Sequence, residues 1–74
     1  MMLENIEFLF KSRGEISIGS SMSRDCTATA SDLDQCLAIL VRRPGETLLE
    51  LLQRLDAAIE DAYENETFVD EVNG

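Results

Sequence analysis

Apolar and polar residues alternate along residues 4–11. Ile6, Phe8 and Phe10 fall on one side and Glu7, Leu9 and Lys11 on the other, the period of two that a half-buried strand shows. Ser12, Arg13 and Gly14 then supply a turn, and residues 15–22 resume the alternation through Ile16, Ile18, Ser20 and Met22. The two segments read as a β-hairpin. Residues 23–31 are polar and rich in Ser, Thr and Ala, which reads as a loop, although Cys26, Thr27, Ala28 and Thr29 can equally extend a strand.

Residues 32–43 fit two periods. Leu37, Ile39 and Val41 alternate as in a strand, while Leu33, Leu37, Leu40 and Val41 recur at helical spacing behind a possible Ser31/Asp34 cap. The apolar run from Cys36 to Val41 is short for a helix and suits a central strand, the reading preferred here. Pro44, Gly45 and Glu46 break the chain, after which Thr47 and Glu50 have the spacing of a capping box. A helix over about 48–64 follows, with Leu48, Leu51, Leu52, Leu55, Ile59 and Ala62 in one stripe and Glu50 spaced to pair with Arg54. Phe68, Val69 and Val72 lie among acids in a tail that fits a docked short strand, a helical extension or a mobile end.

The architecture expected is α+β: a small antiparallel sheet of about three strands packed against one long C-terminal amphipathic helix. Residues 1–64 form the domain and residues 65–74 an acidic C-terminal tail. One helix covers one face, yet Cys36, Ala38 and Leu40 oppose Leu37, Ile39 and Val41, and Leu9 points away from the Ile6 set. Leu9, Cys36, Ala38 and Leu40 are therefore the expected self-association surface of a homodimer, with edge-strand pairing as another route. Cover by the tail through Phe68 and Val69 is one alternative, and a face held for a different protein another.

Composition narrows the chemistry. A chain of 74 residues buries only about 60% of its unfolded surface, so one domain is expected. Histidine is absent, and the phosphate-binding, dinucleotide-binding, nucleophile-elbow and EF-hand motifs are missing, which argues against an enzyme. Cys26 and Cys36 are too few for a disulfide framework or a zinc site, and read as buried or half-buried thiols; no cofactor or metal is expected. No run reaches the ~18 apolar residues of a membrane span, and the cytoplasm is the default compartment.

Charge adds one more feature. The net charge is −9, and after Arg54 no basic residue follows, whereas Asp56, Glu60, Asp61, Glu64, Glu66, Asp70 and Glu71 do. Acids in the last helical turn oppose the macrodipole by about 0.3–1 kcal/mol each, and Asp56, Glu60 and Glu64 repel along one face, so helix stability does not select them. Asp56, Glu60, Glu64 and Glu66 are accordingly the candidate partner-binding residues, toward a basic protein surface. Were residues 56–71 helical they would span about 22 Å at roughly 1.5 Å per residue. That is one charge per roughly 3 Å, near the spacing along a single nucleic-acid strand. A solvated acidic face is the plainer explanation. Arg42, Arg43 and Arg54 do not amount to a basic footprint, so nucleic acid is not an expected partner; they suit pairing with Glu46 and Glu50 or capping of the sheet edge.

Gly45-Glu46-Thr47-Leu48, leading from a short sheet into an amphipathic helix, resembles the corresponding segment of the HicB-type antitoxins over about a third of the chain. These four residues are also helix-start chemistry common to unrelated proteins, and no further signature of that family accompanies them. The resemblance implies a small acidic regulatory protein that binds a basic toxin. The function expected is a non-enzymatic protein-interaction or regulatory module, homodimeric, with an acidic inhibitor that blocks a basic site as the alternative.

Overall fold

The computed structural model describes residues 3–21 and 24–72. The readings above that fall on Met22, Ser23, Asn73 and Gly74 lie outside the described residues. The fold is α+β, in the order α1 (Glu4–Lys11), β1 (Glu15–Ser21), β2 (Arg24–Ser31), β3 (Cys36–Val41), α2 (Leu48–Asn65) and β4 (Val69–Asp70). The sheet has four strands rather than three, in the order β1-β2-β3-β4, antiparallel except for the parallel β3/β4 pair.

The first segment is a helix, not a strand. Leu3, Ile6 and Leu9 recur every three residues and share one helical face, with Ile6 and Leu9 buried and Leu3 packed against the core. Phe8 and Phe10, expected inside, are each 53% exposed, whereas Leu9, expected on the outer face, is fully buried. An eight-residue helix is too short to hold itself. Its N-cap residue, Leu3, makes no side-chain cap. The missing cap comes from α2: Asp56 Oδ2 accepts the backbone N–H groups of Asn5 (2.9 Å) and Ile6 (3.0 Å), and Asp56 Oδ1 accepts from Asn5 Nδ2 (2.9 Å). Glu4 and Glu7 in the first turn and Lys11 in the last add the favourable dipole arrangement. The helix closes on Gly14, whose N–H donates to the Leu9 carbonyl at 2.8 Å.

With α1 removed from the sheet, the hairpin partner of β1 is β2, the stretch that composition reads as a loop. Ile16 pairs with Ala30 and Ile18 with Ala28; across β2, Ala28 pairs with Leu40 and Ala30 with Ala38. Directly paired residues share a face. That face carries the core, and its alanines lie where α2 packs on β2 and β3. The strand reading of Cys36–Val41 holds, with one irregularity. Ser31 pairs with Cys36 but Ala30 with Ala38, so Leu37 is the extra residue of a bulge, and it sits fully buried in the same core. Thr27, on the opposite face, is buried and donates its hydroxyl to the Gly19 carbonyl at 3.4 Å.

The second helix begins as its sequence prescribes. Glu50 N–H donates to Thr47 Oγ1 (3.1 Å) and Thr47 N–H to Glu50 Oε1 (2.8 Å), a complete capping box behind Gly45 at φ 80°. Leu51, Leu55, Ala58, Ile59 and Ala62 form the buried stripe, whereas Leu48, in the first turn and one turn ahead of it, is exposed. Glu50 is used in the box, so the expected Glu50–Arg54 pair does not form; Arg54 pairs with Glu46 and Glu71. The tail returns as the docked strand β4, with Val69 opposite Ala38 and packed on the core, and Phe68 left exposed.

Two substitutions test this packing by urea unfolding. Asp56→Ala removes the borrowed cap and lowers stability by about 0.5–2 kcal/mol. Gly14→Ala puts a methyl 2.8 Å from the Ser31 carbonyl oxygen and into the Leu9 side chain, costing about 1–3 kcal/mol.

Candidate functional site

Of the exposed large apolar residues, Phe8, Leu33 and Tyr63 gather where α1, the end of α2 and the β2–β3 turn meet. Phe8 and Tyr63 stack edge to face, with ring centres 5.7 Å apart and planes at 89°. Leu33, at the tip of the turn, is 73% exposed, and Tyr63 is 39% exposed. The turn is pinned by Asp32, whose Oδ1 accepts the N–H groups of Asp34 (2.8 Å) and Gln35 (2.9 Å). Asp32 Oδ2 accepts the Tyr63 hydroxyl at 3.2 Å, tying the turn to α2. The backbone donors of Asp34 and Gln35 hold the Asp32 carboxyl below its usual range. Desolvation, then the neighbouring Asp32, raises the Tyr63 phenol above its usual value.

Phe8, Ser12, Asp32, Leu33, Asp34 and Tyr63 line an open cleft of about 360 Å³. A shallower hollow of about 220 Å³ on the outer face of α1, between Glu4, Glu7, Phe8 and Lys11, shares Phe8 as a wall. The cleft thus has an aromatic and aliphatic floor bordered by Asp32 and Asp34, and the neighbouring hollow has charges of both signs, Glu4 and Glu7 with Lys11. Nothing in this set supplies a nucleophile–base pair, and among the described residues no group of three or more His, Cys, Asp or Glu is arranged to hold a metal ion.

The structure separates the residues singled out from sequence. Asp56 is half-buried and occupied as the α1 cap. Glu60 is exposed with an oxygen 3.4 Å from Asn5 Nδ2, Glu64 is exposed on the last turn of α2, and Glu66 is its left-handed C-cap residue at φ 53°. Of the self-association set, Leu9, Ala38 and Leu40 are sealed in the chain's own core: Leu9 because residues 4–11 are a helix packed on α2, Ala38 and Leu40 because they lie on the face that α2 covers. Cys36 is exposed, unlike the buried or half-buried thiol expected of it, and Cys26 is half-buried. Phe8, Leu33 and Tyr63 escaped notice: Phe8 sat on the inner face of a supposed strand and Leu33 in an alternative helix. The available signal was Tyr63, the one tyrosine of the chain, set within the acidic run at the end of α2.

A second cleft, of about 560 Å³, lies between the 43–46 loop and α2, lined by Arg43, Pro44, Gly45, Glu46, Glu50, Gln53, Arg54 and Ala57. Arg54 and Glu46 are spent on one another, and Glu50 is engaged in the capping box. Arg54 Nε and Nη2 donate to the two Glu46 oxygens at 2.6 and 3.0 Å, Nη2 also to the Val41 carbonyl at 2.9 Å, and Nη1 to Glu71 at 3.2 Å. Glu46 Oε1 further accepts the Arg43 N–H at 2.9 Å. This reads as a structural clamp.

Comparison with protein families, curated proteins and solved structures finds no match for the chain. Among the described residues no helix is long and apolar enough to cross a membrane.

The clamp sets a pH dependence. Hydrogen bonding to Arg54, then to the Arg43 N–H, lowers the Glu46 carboxyl to about 2 from an ordinary 4.5. A depressed folded-state value means that this stabilisation is present above pH 4.5 and lost as the pH falls toward 2. Asp32 contributes with the same sign. Glu46→Gln is expected to lower stability at pH 7 and to flatten the acid limb between those pH values, as read by thermal unfolding at a series of pH values.

Proposed function

We propose that this chain is a small non-enzymatic protein-interaction module whose groove takes a basic, amphipathic segment of a partner protein. The observation that carries the reading is the exposure of Phe8, Leu33 and Tyr63 around one cleft bordered by carboxylates. Large apolar side chains gathered at a concave surface mark an interaction site more than single exposed residues do. A ligand that buries them also meets Asp32 and Asp34, and basic groups at its edge compensate those charges while apolar groups fill the floor. An amphipathic helix with Lys or Arg flanking a Leu stripe has both features.

A second reading, an acidic inhibitor that occupies a basic site, draws on Glu60, Asp61, Glu64 and Glu66. All four are exposed, and among the described residues none of them forms an ion pair. The two readings differ in which side chains matter: the groove reading needs Leu33 and Phe8, the inhibitor reading needs the α2 carboxylates.

The chain has one tyrosine and no tryptophan, so its intrinsic fluorescence reports Tyr63 alone. Titration with a synthetic helix carrying a Leu stripe flanked by Lys is expected to change that signal and to weaken as salt rises. Leu33→Ser, at the most exposed position, is expected to weaken binding by about tenfold or more, equivalent to ~1.4 kcal/mol. Equal binding of a scrambled peptide of the same composition would reduce the groove to unspecific charge attraction. Loss of binding on Glu60→Gln with Glu64→Gln, but not on Leu33→Ser, would favour the inhibitor.

A further inference from the structure

We infer that the outer edge of β1 pairs with the same edge of a second copy, joining two sheets into one across a two-fold axis at Ser17. β1 is the open flank of the fold. The helix α2 packs on β2 and β3 and α1 packs against α2, while β1 is joined to the body chiefly through β2. The two ends of the sheet are protected very differently. β4 is two residues long, carries Asp70, and is followed at once by Glu71. β1 has seven residues with neither proline, lysine nor arginine among them; its one charge is Glu15, at its start, and its one irregularity lies past Gly19, at its far end.

What selects a second copy as the occupant is the self-complementarity of the strand. The ladder to β2 is regular from Glu15 to Gly19 and becomes irregular between Gly19 and Ser21, so residues 15–19 form the usable edge. Antiparallel pairing about Ser17 sets Ile16 of one copy opposite Ile18 of the other, twice. Ile18 is 39% exposed and Ile16 partly buried, and both lie on the face that carries the core, so the pairing extends the apolar layer of each copy into the other. The same register sets the single charge, Glu15, opposite Gly19, so no like charges meet. The apolar set Leu9, Ala38 and Leu40 takes no part, being enclosed.

The contact is short, so the dimer is weak, and each copy carries a charge of −9. Salt therefore strengthens self-association, the opposite of its effect on a basic ligand at the groove, and the two surfaces can be tested separately.

The test is sedimentation equilibrium of the full chain at low salt and at about 1 M salt, where the Debye length is ~3 Å. The expected result is a monomer–dimer equilibrium that tightens with salt and is weakened about tenfold or more by Ile18→Lys, with circular dichroism of the variant unchanged. Ser17→Cys, with Cys26 and Cys36 replaced by alanine, is expected to form a covalent dimer on mild oxidation, because directly opposed Cα atoms lie about 4.5–5.5 Å apart, within disulfide reach. A monomer at both salt concentrations overturns the inference. So does a dimer indifferent to Ile18→Lys whose Ser17→Cys form does not cross-link, since it would use another surface.

Discussion

The guanidinium of Arg54 is the point at which three distant parts of the chain are fastened together. From the second turn of α2 it reaches Glu46 in the loop that precedes the helix, the Val41 carbonyl at the end of β3, and Glu71 just after β4. Each of these has a further partner. Glu46 accepts the Arg43 N–H, Glu71 Oε1 accepts the Val41 N–H at 2.8 Å, and the Glu71 N–H donates to the Ile39 carbonyl at 2.9 Å. With the Glu46 side chain 8% exposed and that of Arg54 21%, the network is partly shielded from water and each of its members is hydrogen-bonded, which favours one arrangement of the three segments. Without it, a two-residue parallel strand has little to hold it against β3.

A matching device works two residues further along α2. Asp56 reaches across to cap α1, so one long helix covers the sheet, caps the first helix and, through Arg54, holds the last strand. The consequence for the surface is direct. Leu9, Ala38 and Leu40 are used up inside, the carboxylates of Asp56 and Glu71 are used up as cap and clamp, and the Phe8–Leu33–Tyr63 cleft, the outer carboxylates of α2 and the β1 edge are among the surfaces left exposed.

How much of this was readable from sequence followed the range of the interactions concerned. The capping box at Thr47 and Glu50, the helix after it and the strand over Cys36–Val41 depend on near neighbours and were legible. The segment 4–11 was not, because Ile6, Phe8 and Phe10 satisfy a period of two while Leu3, Ile6 and Leu9 satisfy a helical one, and the cap that decides between them lies some fifty positions away in Asp56. β2 was obscured by its small residues. Ala28 and Ala30 carry little hydrophobic signal, yet they are fully buried in the middle of the sheet, beneath α2. The groove was invisible for the same reason: Phe8 turns outward only if residues 4–11 are helical.

The dependence of β4 on Arg54 is tested most directly by amide hydrogen exchange on Arg54→Met, which keeps an apolar stem and removes the guanidinium. The account predicts that protection is lost at the Val41 and Glu71 amides while those of β2 and of the middle of α2 keep theirs, because local opening precedes global unfolding. Unchanged protection at Val41 and Glu71, or an even loss across the whole chain, would contradict it.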